Sequence, residues 1–206
     1  MMTSVEVVRQ MAAGKQVLLE RESIHAMADI LVCRKYKKGE IILNEGEVCE
    51  CMRYIEKGMT RQFYFKYDKD VTEHIGYEGG MIICLESYLK QKPTRIMIEA
   101  LEPTVLWEIK KDDIERLSME HSDIGVLYRK FFEYSLIDSQ IKADTLRFEP
   151  AHERYNKLLQ LHPEILKRAP LVYIASLLQM TPETLSRVRS ASLNPNRSLE
   201  YQFHDF

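Results

Sequence analysis

What the chain lacks narrows it first. It has no excess of basic residues: 29 Lys and Arg stand against 31 Asp and Glu, a formal net charge of −2, so no global field draws it to nucleic acid. It contains no apolar run of about eighteen residues and no basic-then-apolar leader. A cytoplasmic protein without a membrane span is therefore expected. Cysteine is scarce, with Cys33, Cys49, Cys51 and Cys84 the only four, and reduced thiols are expected rather than bridges. Only Cys49-Glu50-Cys51 is clustered, and C-x-C alone is a poor ligand set for an iron–sulfur cluster. The six histidines are scattered without helical pairing, so no metal is expected. No nucleophile–base pair, metal set or phosphate loop argues for an enzyme or a cofactor.

What is present suits an ordinary globular protein. With 206 residues, 45% hydrophobic and 29% charged, the chain has room for two modest domains, each burying its own core.

Residues 170–189 predict two short helices around a tight turn. Leu171, Ile174, Ala175 and Leu178 recur at three- and four-residue steps, the buried face of a supporting helix. Thr181 can cap free backbone N–H groups, and Pro182 suits a first helical turn, so a second helix begins there. Its inner side is Leu185 and Val188. Its outer side carries Glu183, Thr184, Ser186, Arg187 and Arg189, side chains that read base edges and hold phosphates. From residue 150 onward, Arg154, Lys157, Lys167, Arg168, Arg187, Arg189 and Arg197 face Glu153, Glu164, Glu183, Glu200 and Asp205. The surplus of two is a weak electrostatic footprint, which argues for affinity gained by dimerising.

Upstream, residues 3–13 and 22–32 have helical spacing, through Val5, Val8 and Met11 and then Ile24, Met27, Ala28 and Leu31. From Cys33 the period becomes two, and short apolar runs alternate with turn residues. Strands are predicted over 41–43, 52–55, 60–67, 71–77, 96–100 and 105–109, a small β-barrel or jelly roll. A short helix over 111–119 buries Ile114 and Leu117. A long helical pattern from Ser122 to Phe148 would span about 40 Å at 1.5 Å per residue. Ile124, Leu127, Phe131, Tyr134, Asp138, Ile141, Thr145 and Phe148 follow a 3-4 rhythm like that of a coiled-coil seam, with Phe132 and Leu136 on a second stripe. Phe148-Glu149-Pro150 ends this helix, and the tail from Asn194 to Phe206 is expected to be poorly ordered.

Two sets of residues carry a resemblance. One is Ile174-Ala175-Ser176 with Thr181-Pro182-Glu183-Thr184-Leu185-Ser186-Arg187, led in by Glu153-Arg154-Tyr155 and His162-Pro163-Glu164. The other is Lys38-Gly39-Glu40-Ile41-Ile42-Leu43 with Glu45-Gly46, and Tyr54-Ile55 with Lys57-Gly58. Together they resemble the Crp/Fnr (cyclic AMP receptor protein and FNR) superfamily of bacterial transcription regulators over roughly residues 30 to 190. The resemblance implies an α+β fold: an antiparallel cyclic-nucleotide-binding-like β-roll over 1–110, connecting and dimerisation helices over 111–148, and a helix-turn-helix domain over 149–206. It implies a homodimer through Leu127, Phe131, Tyr134 and Ile141. It also implies DNA contacts from Thr181, Glu183, Thr184, Ser186, Arg187 and Arg189, inverted-repeat duplex sites, and RNA polymerase as a further partner.

Two departures matter. Gln179 stands where the family usually has a turn glycine, so the turn is expected to be strained. In members that bind a cyclic nucleotide, a cassette supplies Gly-Glu and then Arg-Ser. Here Cys84-Leu85 falls at Gly-Glu, with Glu86 one place late, and Thr94-Arg95 falls at Arg-Ser. Successive strand residues face opposite ways, so Arg95 should point away from the pocket. Cyclic AMP is therefore not the expected effector; the candidate effector residues are Ile83, Cys84, Leu85, Glu86, Thr94 and Arg95, and the run Met81, Ile82, Ile83, Cys84 and Leu85 points to an apolar pocket, with a packed interior, a hydrophobic effector or no ligand as the alternatives. The competing expectation is a cyclic-nucleotide or small-molecule sensor whose helix-turn-helix is vestigial.

Overall fold

The structure, a computed structural model, describes residues 1–193. The expectation of a poorly ordered tail over 194–206 lies outside the described residues.

Two helices precede the sheets. α1 (Ser4–Gly14) begins with a capping box, in which the Glu6 amide donates to Thr3 Oγ1 and the Thr3 amide to the Glu6 carboxylate; both exchanges satisfy otherwise free N–H groups. α2 (Arg21–Ile30) buries Met27 and Ala28. Eight strands follow among the described residues: β1 (Val32–Tyr36), β2 (Ile41–Leu43), β3 (Cys51–Lys57), β4 (Met59–Lys66), β5 (Lys69–Tyr77), β6 (Met81–Ile82), β7 (Met97–Ala100) and β8 (Thr104–Lys110). They form two antiparallel four-stranded sheets, ordered β1-β8-β3-β6 and β2-β7-β4-β5. This is the jelly-roll arrangement that the period-two pattern predicts, with apolar side chains alternating inward.

One glycine in the roll is sterically required. Gly58, between β3 and β4, has φ +100°, and a Cβ there would stand 2.4 Å from Thr104 Oγ1 and 2.7 Å from its Cα. Only a residue without a side chain lets the two turns pass this closely.

Between β6 and β7 lies α3 (Leu85–Lys90), a helix that the sequence pattern does not predict and that begins at the last residue of the apolar run 81–85. The strand stops after Ile82 because Cys84 leaves the extended conformation and heads a helical turn. α4 (Lys111–Glu120) buries Ile114 and Leu117, and α5 runs over Ser122–Phe148 as predicted. Asp123 ties the start of α5 to α2, accepting from the Glu20 amide and the Ser23 hydroxyl at 2.8 Å each.

The seam expected along α5 needs correction. Leu127 and Phe131 are 0% and 5% exposed because they pack into the chain's own first core, which joins α1, α2, α4 and the roll. The exposed apolar side chains lie in the second half of the helix: Tyr134, Leu136, Ile137, Ile141 and Phe148. Asp138 does not belong to this stripe, since it sits beside Lys15 and His74 of the same chain. The exposed stripe keeps Tyr134, Ile141 and Phe148 of the expected seam, with Ile137 in place of Asp138.

The remaining helices are α6 (Ala151–Leu161), α7 (Pro163–Arg168), α8 (Leu171–Leu177) and α9 (Pro182–Leu193). Their core is not closed by helices alone. Met59 and Ile75 of the roll are buried in it together with Tyr155, Leu158, Ile165, Ile174, Ala175, Leu178 and Leu185.

Candidate nucleic-acid interface and effector cavity

α8 and α9 form the helix-turn-helix pair that the sequence predicts. Ile174, Ala175 and Leu178 are buried, while Leu171 is exposed, contrary to expectation, because the first turn of α8 runs past the packed face. In the turn, Gln179 adopts φ +51°, the left-handed conformation for which glycine is the usual solution. Arg154 Nη2 donates to the Gln179 carbonyl at 3.3 Å, and Met180 N–H donates to the Ala175 carbonyl.

Thr181 is the N-cap of α9, its Oγ1 accepting from the Thr184 amide at 3.2 Å. The Thr184 hydroxyl lies between Thr181 Oγ1 and Arg187 Nη2, at 3.2 and 3.3 Å. These two threonines thus shape the start of the helix and steady Arg187. Glu183, Ser186, Arg187 and Arg189 are exposed, and Leu185 holds the opposite side in the core. Backbone N–H donation and the Thr181 hydroxyl hold the Glu183 carboxyl below its ordinary range, and Arg187 adds to the effect. Glu183 and Arg187 share one face at a four-residue step, so α9 offers an acceptor and a forked donor to a groove.

The pair is docked on the β-roll through polar anchors. Thr72 N–H of β5 donates to Ser176 Oγ of α8 at 2.8 Å, and Tyr77 Oη meets His162 Nδ1 at 2.9 Å. Arg61 of β4 is 2% exposed and paired with Asp70 and Glu99, both at 2.7 Å. Its guanidinium lies 3.6 Å from the centroid of Tyr173 on α8, a cation–π contact across the junction. Arg168 closes the set by gripping Glu78 through two hydrogen bonds of 2.7 and 2.9 Å and by pairing with Glu102. Burial opposes ionisation of Glu78, but Arg168 and the Gly58 amide outweigh it and hold the carboxyl at about 2.

The second site is an open cavity of about 910 Å³ at the far end of β4 and beside α3. It gathers Cys84, Leu85, Glu86, Thr94 and Arg95, five of the six predicted effector residues. Ile83 falls outside, because only its carbonyl is engaged, accepting from Gln62 Nε2 at 3.0 Å, while its side chain packs on the first core. The expectation of an apolar pocket is also corrected. Met81 and Ile82 do not line the cavity; the hairpin aromatics Tyr64, Phe65 and Tyr67 do, together with the charged Lys66, Lys90, Lys92, Arg95, Glu45 and Glu86. The hairpin's place in the cavity wall is not legible in the sequence, because β4 comes beside α3 only in three dimensions.

Thr94 is buried and turns its hydroxyl onto the Ile96 amide at 2.9 Å, while Arg95 is exposed. Behind the cavity wall, Cys49 and Cys84 interact. Cys84 and Arg53 draw the Cys49 thiol down, while Cys49 and burial push the Cys84 thiol up. Among the described residues no three His, Cys, Asp or Glu side chains are grouped to hold a metal ion.

A jelly roll, a long connecting helix and a docked helix-turn-helix define a two-part architecture. Residues 33–121 match the family model of the cyclic nucleotide-binding domain. The chain has the fold of the Crp/Fnr superfamily. FixK2 from Bradyrhizobium japonicum is similar at 20% identity and TM-score 0.68, over 81% of this chain and 86% of that one. The catabolite activator protein of Thermus thermophilus is similar at 19% identity and TM-score 0.55, over 89% and 88%. A Crp/Fnr-family putative regulator from Eubacterium rectale shows 17% identity and TM-score 0.63, over 85% and 84%. No curated protein sequence matches the chain significantly. Among the described residues no helix is long and apolar enough to cross a membrane.

Proposed function

We propose that the protein is a homodimeric, sequence-specific DNA-binding transcription regulator of the Crp/Fnr type that does not respond to cyclic AMP. The carrying observation is the outward face of α9, where Glu183, Ser186, Arg187 and Arg189 stand free of the core on a helix capped and anchored from behind. Glu183 suits a cytosine amino group and Arg187 the acceptor pair of guanine. Pro182 stands where the family has a further arginine, so each half-site has one guanine contact fewer than that of the cyclic AMP receptor protein. Arg189 reaches phosphate. Two-fold symmetry makes the target an inverted repeat with half-sites roughly 34 Å apart.

Selection of bound duplexes from a random pool tests this reading. The expected result is an inverted repeat. Arg187→Ala should cost about 1–3 kcal/mol per half-site and relax one base pair, whereas Arg189→Ala weakens all sequences alike. Selected sites without inverted symmetry, or full specificity in Arg187→Ala, would overturn it.

The cyclic AMP part rests on the cassette. At the position of the phosphate-binding arginine stands the buried, hydrogen-bonded Thr94, and the ribose glutamate is replaced by Leu85. Calorimetry with cyclic AMP should show no binding; micromolar binding abolished by Arg95→Ala would prove the register wrong.

A further inference from the structure

The hairpin of β4 and β5 is engaged at two places. At its tip, Tyr64, Phe65, Lys66 and Tyr67 line the roll cavity. Nearer its base it carries α8: Thr72 N–H donates to Ser176 Oγ at 2.8 Å, and the Arg61 guanidinium lies between the rings of Phe63 and Tyr173, 4.0 and 3.6 Å from their centroids. Arg61 is tied to the hairpin itself by hydrogen bonds of 2.7 and 3.0 Å to Asp70, the ladder partner of Phe65. Successive strand residues face opposite sides. Beside Arg61 stands Gln62, whose Nε2 donates to the Ile83 carbonyl at 3.0 Å and to Cys84 Sγ at 3.5 Å. Since Cys84 belongs to the cavity wall, a single strand separates that wall from α8.

The strand is also irregular at this level. The β4–β5 register shifts between Gln62 and Phe63, which leaves Glu73 as an extra residue on β5. Such a bulge bends its strand and interrupts the ladder. Lys142 of α5 holds Glu73 from outside, bonding its carbonyl and pairing with its carboxylate at 2.8 Å. The tip, by contrast, is closed by the two-residue turn Tyr67-Asp68, with φ of +49° and +60°, and this kind of turn keeps its two strands together. A displacement at the tip is therefore taken up at the bulge, where α8 is attached.

We propose that the β4–β5 hairpin couples the roll cavity to the docking of α8: with Gln62 seated on the Cys84 wall the hairpin holds Tyr173 and Ser176, and a hairpin displaced at the cavity releases them. Coupling between two sites acts in both directions, so freeing α8 also loosens the cavity wall. The inference concerns docking within one chain, and its test contains no DNA, so it fails separately from the proposed function.

Thiol labelling of the full chain with iodoacetamide, resolved by peptide mass spectrometry, reads the wall, because Cys84 is 3% exposed and reacts only when the wall opens. Tyr173→Ala, on the far side of β4, should speed Cys84 labelling by about fivefold or more, while Cys51 in the other sheet changes by less than about twofold. Ser176→Ala should act in the same sense. In the reverse direction, Gln62→Leu, which removes a contact on the cavity side, should speed hydrogen exchange of the Thr72 amide by about fivefold or more. Because the substitutions act on one opening, Gln62→Leu combined with Tyr173→Ala should speed Cys84 labelling by less than the product of the separate effects. Parental Cys84 labelling in both α8 variants, equal acceleration of Cys51, parental Thr72 exchange in Gln62→Leu, or effects that simply multiply would overturn the proposal.

Discussion

Gln179 and Gly58 occupy left-handed backbone for opposite reasons. At Gln179 nothing forbids a side chain sterically, and the cost is conformational. Gln179→Gly should therefore stabilise the protein by about 0.5–1 kcal/mol, the relief of one left-handed non-glycine residue less the extra entropy of glycine. A thermal melt showing a higher midpoint would bear this out, and an unchanged or lower one would refute it. At Gly58 the space itself is taken, because Thr104 backbone and side chain stand within 2.7 Å of any Cβ. Gly58→Ala must move one turn off the other, at a cost of about 2–4 kcal/mol. A variant as stable as the parent in urea would show that the turns do not need this contact.

At the scale of the element, α5 divides into two halves. Its first half is a core helix, with Ile124, Leu127 and Phe131 buried; its second half presents Ile137 and Ile141 at 59% and 49% exposure. Large apolar side chains in a row on water suit an interface between copies, and the homodimer proposed above would bury them. The halves should respond differently to one charge. Ile137→Asp is expected to leave a folded monomer at micromolar concentration, whereas Phe131→Asp should unfold the chain, by about 3–5 kcal/mol of lost core packing and buried charge. Sedimentation with circular dichroism separates the two. A dimer that persists in both Ile137→Asp and Ile141→Asp would remove this stripe as the interface.

For the whole molecule, the decisive contact is the docking of the C-terminal helices on the roll, and its ionic clamp has a defined pH response. The Glu78 carboxyl titrates at about 2 in the folded chain, below its ordinary 4.5. Its stabilisation is thus complete above about 4.5 and disappears as pH falls through about 2. Since Glu78 is partly exposed, the clamp is worth about 1 kcal/mol after allowance for solvent screening. Glu78→Gln should lower the unfolding midpoint at pH 6 and flatten the loss of stability between pH 4.5 and 2; an identical pH profile in parent and variant would show that the clamp does not contribute.

The sequence by itself determined the local periods, and with them most of the architecture. Period-two runs placed the strands, the 3-4 rhythm placed α5 from Ser122 to Phe148, and Thr181-Pro182 placed the start of α9, because each depends on residues within a turn or two of one another. The α9 face was equally legible, since a helix fixes which side chains share a side. What only the tertiary structure decided depends on which surfaces meet. Leu127 and Phe131 belong to the chain's own core rather than to a seam, and the roll cavity takes hairpin aromatics and lysines in place of Met81, Ile82 and Ile83. Met59 and Ile75 join the helical core, and Arg154 is left with an unclaimed N–H at a three-way junction. An apolar residue on a stripe carries the same signal whether its own fold or a second copy covers it. Long-range packing alone supplies the difference.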